Sequence, residues 1–173
     1  MEIFVRMLAL PIILTRYMDQ VTSEFYRDLH QQLSGLLAGE ADLIASLANT
    51  SALIYHKLAS INWAGFYLLQ GNELVLGPFQ GKPACVRIPV GKGVCGTAIA
   101  NNQTLLVGNV HEFDGHIACD MASNAEIVIP ITINQRQLGV LDIDSPQLNR
   151  FQQSDRVGLE GLVKILVEHL KRY

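Results

Sequence analysis

The chain has 173 residues, 49% of them hydrophobic and 17% charged, a size and balance that fit one globular domain with a sizeable core. Thirteen Lys and Arg stand against sixteen Asp and Glu, a net charge of -3, and no basic run occurs, which argues against electrostatic binding of nucleic acid. Three cysteines are too few and too widely spaced for a disulfide framework and fit a reducing compartment, so a cytoplasmic protein is expected.

In chain order, the first apolar run is Met7 to Leu14. Pro11 interrupts it, and it falls far short of the roughly 20 residues that span a bilayer. Met1 to Arg6 carries no net positive charge and no small-residue cleavage site follows, so residues 1–21 are expected to be a soluble N-terminal extension with no membrane role. Thr22 or Ser23 can then cap a helix with Glu24 in its first turn, and Phe25, Leu29, Leu33 and Leu36 share one face. Gly39 ends that helix. A second stripe, Leu43, Leu47, Ser51, Ile54 and Leu58, follows at spacings of three and four.

Strands come next. Ile61 to Leu69 is aromatic and apolar, and Gly71-Asn72 makes a hairpin turn into LVLGPF. Cys85 to Val90 and Leu105 to Val110 predict two further short strands, separated by the glycine-rich GKGVCGTAIANN, which has room for a loop and one short helix. Residues 111–124, HEFDGHIACDMASN, show neither helical nor strand period and predict an ordered loop of functional size. Glu126 to Ile133 and Leu138 to Asp144 form a hairpin about Asn134-Gln135-Arg136-Gln137. Ser154 caps a last helix with the stripe Leu159, Leu162, Val163, Leu166 and Leu170. Such an order gives an α+β domain over residues 22–173, about six strands in one antiparallel sheet with helices packed on it. A doubly wound parallel sheet would need a helix between successive strands, and the middle of the chain has room for only one.

Chemistry is sought first at Cys85, Cys95 and Cys119, since no phosphate-loop, nucleophilic-serine or dinucleotide signature occurs. Any one of them can be a buried core filler. Cys119 is set apart by its polar loop and its neighbours His116, Asp120 and Ser123, and Cys85 by its place just after Gly81-Lys82-Pro83. Zinc is an alternative, with Cys85, Cys95, His111, His116 and Cys119 as ligands, but only His116 and Cys119 have the close spacing of a structural site, so no metal is expected. Glu126, Asp142 and Asp144 lie in apolar strands, the two aspartates on one face by alternation. An outward face would leave them solvated. Lining a pocket, they would raise one another's pKa and offer both a proton donor and a seat for an ammonium group. Trp63, with Phe66 and Tyr67, can wall such a pocket or simply pack in the core.

The segments NWAGFYLL at 62–69, GPFQGKPACVRIPVGKGVCG at 77–96, HIACD at 116–120 and LDIDS at 141–145 closely resemble the free methionine-(R)-sulfoxide reductases, which are stand-alone GAF domains. The resemblance runs from about Thr22 to the last helix and includes all three cysteines in order. It implies a six-stranded antiparallel GAF sheet with helices on its faces, commonly in a homodimer. On this chain it makes Cys119 the nucleophile toward the sulfoxide, Cys85 the thiol that resolves the resulting sulfenic acid as a disulfide, and Cys95 a second candidate for that step. Thioredoxin or a similar dithiol would return the enzyme to its reduced form, with no cofactor. The resemblance further implies that Glu126, Asp142 and Asp144 are pocket carboxylates and that Trp63 and Tyr67 wall the substrate, free methionine-(R)-sulfoxide.

Overall fold

Tyr26, Leu29, Leu33 and Leu37 are spaced so that one face of the first helix, α1 (residues 22–37), is apolar and buried. The computed structural model describes residues 20, 22–117 and 119–172; the expected extension over 1–21, with Met7 to Leu14, falls outside them save for Gln20. Helix α2 (Leu43–Lys57) starts at Asp42, whose side chain accepts from the Ala45 amide at 2.8 Å. Strands β1 (Trp63–Gln70) and β2 (Glu73–Gly81) form the first hairpin, followed by β3 (Arg87–Pro89), α3 (Gly93–Asn101), β4 (Leu105–Val107), β5 (Ala125–Ile133), β6 (Arg136–Ser145) and α4 (Gln153–Leu170).

The six strands make one sheet in the order β3-β2-β1-β6-β5-β4, every neighbour antiparallel. Alternation splits its side chains between two cores. Ala64, Phe66, Ile127, Ile129, Ile131, Leu141 and Ile143 face α1, α2 and α4 in the larger core. Trp63, Tyr67, Leu74, Ile88, Val128 and Val140 face the other way, onto Val94, Cys95, Ala98 and Ile99 of α3. Polar ties bind α1 to α4: the Tyr26 hydroxyl donates to Asp155 at 2.7 Å and His30 Nε2 donates to the Gly158 carbonyl at 2.7 Å.

Several local expectations are corrected. Thr22 and Ser23 do not cap α1, because Gln20 is already helical; on an exposed surface Ser and Thr cost a helix little. Leu36 is exposed and Leu37 takes its place in the stripe, since the buried residues drift at the true helical period. Helix α4 begins after Gln152 rather than at Ser154, because Asp155 accepts from the Gln152 amide at 2.8 Å and fixes the start earlier. Cys85 and Val86 lie outside β3, since Cys85 is held by a disulfide and its carbonyl accepts from Tyr67. Strand β4 stops at Val107, and Val110 instead opens a short 3-10 turn through Glu112. The β5–β6 turn is two residues, not four: Asn134 and Gln135 both have positive φ, 49° and 65°, the mirror-image turn that suits the twist of a hairpin.

Candidate active site

Register places the site residues in adjoining rows. Gly81, Trp63, Asp144, Glu126 and Val107 stand opposite one another across five strands, and beside them Phe79, Gly65, Asp142, Val128 and Leu105 form the next row. Asp142, Asp144 and Glu126 therefore share the α3 face with Trp63 and Tyr67, and that face lines a cavity rather than open solvent. Trp63 lies flat over two glycines. A Cβ on Gly65 would come within 2.6 Å of its ring and one on Gly81 within 2.7 Å, so neither position tolerates a side chain while the indole keeps this pose. Phe79 and Tyr67 stack on it at centroid distances of 5.3 and 5.8 Å, and its Nε1 donates to the Lys82 carbonyl at 3.2 Å.

The thiols close the cavity. Cys85 and Cys119 are joined by a disulfide with Cα atoms 5.3 Å apart, linking the loop before β3 to the loop before β5. Cys119 lines the cavity together with His116, Ile117 and Asp120 from its own loop and Pro83 and Ala84 from the other. In this disulfide form the cavity is about 40 Å³, room for a few waters. Cys95, in the first turn of α3, is 3% exposed and free, and its thiol donates to Glu126 Oε1 at 3.6 Å.

Burial controls the charges here. It pushes Asp142 up to about 6, against lowering by hydrogen bonds from Cys95 and Glu126. Glu126 is raised by burial and then by the charges of Asp142 and Asp144, and Asp144 by burial and then by Asp142. Cys95 is raised for the same reasons and stays a neutral thiol at neutral pH. Asp142 Oδ1 is buried with no partner among the described residues, an acceptor aimed at whatever fills the cavity. The donor atoms of Cys95, Glu126 and Asp142 all lie within 4.8 Å of one another and are the described residues that could hold a metal; burial raises all three, which also suits them to hydrogen bonds with a polar ligand. The five zinc ligands of the sequence alternative do not converge, since Cys85 and Cys119 are consumed in a disulfide and His111 bonds Asn124 at 2.9 Å outside the cavity.

Cys95, Cys119, Trp63, Tyr67, Glu126, Asp142 and Asp144 line this cavity, and Cys85 is bonded to one of them; Phe66, the other expected aromatic wall, instead alternates onto the opposite face and packs in the larger core. Sequence reasoning missed what holds the Cys119 loop. Asp120 accepts from the Ala122 amide at 2.9 Å and from Asn62 at 3.3 Å and pairs with Lys82 at 3.4 Å, contacts that keep its carboxyl below the usual carboxylate range. Asn62 also donates to Ser123 at 3.0 Å. Both Asn62 and Lys82 stand inside the motifs quoted above, yet no periodicity marks a residue that works by bridging two loops. His116 is half-buried, its ring held neutral by burial and by His111.

Residues 41–169 match the GAF domain family. Over 141 residues the chain is 60% identical to the free methionine-R-sulfoxide reductase of Escherichia coli, spanning 82% of this chain and 86% of that protein. The structure of the free methionine-R-sulfoxide reductase from Neisseria meningitidis in complex with its substrate superposes with a TM-score of 0.81 at 44% identity, covering 85% of this chain and 90% of that one. A GAF protein of Burkholderia vietnamiensis superposes with a TM-score of 0.85 at 53% identity, covering 88% and 99%. With 60% identity to the Escherichia coli reductase over most of its length and the GAF match, the chain belongs to the free methionine-R-sulfoxide reductases, a family built on the GAF domain.

Proposed function

We propose that this chain reduces free methionine-(R)-sulfoxide to methionine, the reading carried by one observation: the Cys85–Cys119 disulfide closes a cavity floored by Glu126, Asp142 and Asp144. In the reduced enzyme the Cys119 thiolate attacks the sulfoxide sulfur while a protonated carboxyl gives its proton to the departing oxygen. The hydroxyl so formed passes to the Cys119 sulfur as the substrate S–O bond and the transient S–S bond break, so methionine leaves and Cys119 is left as a sulfenic acid. The Cys85 thiolate attacks the Cys119 sulfur, water departs, and the disulfide seen in this structure forms. Two electrons come from the thiols themselves, so the chemistry calls for no cofactor beyond a dithiol such as thioredoxin that reopens the pair. A thiol cycle of this kind fits a reducing cytoplasm, and the family resemblance favours a homodimer. Among the described residues no helix is long and apolar enough to cross a membrane.

The three carboxyls divide the work by protonation. At neutral pH a buried group raised by its neighbours keeps a proton for the oxygen, while an ionised neighbour holds the substrate ammonium against the walls of Trp63 and Tyr67. A methionine sulfoxide inside a peptide has an acylated, uncharged nitrogen and would leave a buried carboxylate unpaired, which costs several kcal/mol, about 3 to 5. Cys95, neutral and bonded to Glu126, fits a pocket wall better than a resolving thiolate.

With dithiothreitol, the free R sulfoxide is expected to be consumed and the S isomer and N-acetylated R form spared. Cys119→Ser is expected to abolish turnover, and Cys85→Ser to release one methionine per chain and then stall with thioredoxin. Full activity of the Cys119 variant would overturn the assignment of the nucleophile. No consumption of any form by folded, reduced protein would leave a ligand-binding GAF domain instead.

A further inference from the structure

Among the described residues, the two most exposed large apolar side chains are Met121, 81% exposed, and Val86, 64% exposed. Leu36, Ile44, Tyr55 and Val157, which are also exposed, belong to the helices that back the larger core, and Leu148 to the loop between β6 and α4. Val86 follows Cys85 directly and Met121 comes two residues after Cys119. Chain geometry thus holds both Cα atoms within about 8 Å of a disulfide cysteine. Each disulfide cysteine therefore has, within two residues of chain, an exposed apolar side chain that belongs to neither core. Lys82, 69% exposed, and its partner Asp120 stand beside them as a charged rim.

We infer that Val86 and Met121 form the landing surface for the protein dithiol that reduces this enzyme, and that its thiolate attacks the Cys85 sulfur. The inference rests on the thiol cycle proposed above. The disulfide itself commits the occupant: reopening it requires a thiolate brought up along the S–S bond, so whatever docks here carries an accessible dithiol. Apolar contact around a small polar rim is what a brief encounter of this kind needs, since such interfaces are small and must release. Methionine is suited to it because its unbranched, polarisable side chain adapts to a partner's surface.

The choice of sulfur follows from where the two cysteines face. Cys119 lines the cavity and Cys85 does not. Attack on Cys85 breaks the S–S bond, forms a mixed disulfide between Cys85 and the reductant, and releases Cys119 as a thiolate into the cavity where the next sulfoxide binds. The reductant's second thiolate then attacks its own partner sulfur, forming the oxidised reductant and releasing Cys85 as a thiolate that takes up a proton. Two electrons and one proton pass from the reductant, whose attacking group is already a thiolate, to the enzyme.

The test compares wild type with the double variant Val86→Ser, Met121→Ser in the full chain, driven by thioredoxin and separately by dithiothreitol. The KM for thioredoxin is expected to rise about tenfold, with turnover on dithiothreitol, which needs no docking surface, unchanged within about twofold. An equal KM for thioredoxin in both proteins overturns the docking surface alone. An equal fall with both reductants overturns it too, as does a change in oligomeric state with the thioredoxin KM unchanged, which would make the patch a contact between copies. Wild-type turnover on dithiothreitol but not on thioredoxin overturns the reductant and the docking with it. Thioredoxin whose second active-site cysteine is replaced by serine is expected to be trapped on the peptide holding Cys85; capture on Cys119 would overturn the direction of attack.

Discussion

Strands β5 and β6 present opposite worlds to their two faces from one alternating sequence. Toward the three large helices they send Ile127, Ile129, Leu141 and Ile143, all buried in an apolar core. Toward α3 the intervening positions are Glu126, Val128, Asp142 and Asp144, in which acids stand where hydrocarbons would pack. Both faces are largely buried, so the same burial stabilises one and penalises the carboxyls on the other. The larger, helix-backed core supplies more of the folding free energy, and the α3 face, which has a smaller core of its own, gives up part of that gain to hold carboxyls whose protons are available near neutral pH.

If that division is right, damage to the two faces separates stability from activity. Phe66→Ala, on the helix-backed face beside Leu141, is expected to cost about 3–5 kcal/mol in urea unfolding while turnover per folded molecule changes little. A proportionate loss of specific activity would mean that the faces are mechanically coupled. Asp142→Asn, on the cavity face, is expected to do the reverse: kcat/KM falls about 100- to 10,000-fold, since a proton-transfer or ammonium-binding group is lost, with no loss of stability. A lower unfolding midpoint for that variant would show that Asp142 supports the fold rather than taxing it.

The pH dependence of stability sharpens the same contrast. Asp142 is raised from 3.8 to about 6 in the folded protein, so the stability it contributes is fully present below about pH 4 and is lost as pH rises through 6. Glu126 and Asp144 are raised as well and act in the same direction. The stability of wild type relative to Asp142→Asn is therefore expected to fall by about 2 to 3 kcal/mol between pH 4 and pH 7, read from urea midpoints of the two proteins at each pH. A difference that does not change with pH would place the carboxyl in contact with solvent or a fixed cation.

What the sequence made legible follows the same line. Alternation put Asp142 and Asp144 on one face, and motif resemblance singled out Cys85, Cys95 and Cys119, because both signals are local or carried by short words. Nothing local says that Gly65 and Gly81 clear the space under Trp63, since the clash that forbids a side chain there arises between paired strands. Nor does spacing show Lys82 meeting Asp120, which depends on how two loops fold toward each other. Helix starts were read wrongly for a related reason. Asp155 sets the start of α4 while tied to Tyr26 of α1 and to Arg150, so a distant helix helps choose between Gln152 and Ser154.

The turn between β5 and β6 tests whether the two faces share a common base, because it joins both strands at the end of the sheet and belongs to neither core. Asn134 suits its positive φ, but Gln135 at 65° carries a side chain in a backbone region that glycine occupies without cost. Gln135→Gly restores the Asn-Gly pair that such two-residue hairpins prefer. Removing the strain contributes about 1 kcal/mol and is partly offset by the greater freedom of glycine in the unfolded chain. A rise of about 0.5 kcal/mol in unfolding free energy is expected, with kcat and KM unchanged. A change in KM would mean that the register of β6, and with it the placement of Asp142 and Asp144, is set from the turn rather than by the packing of the two faces.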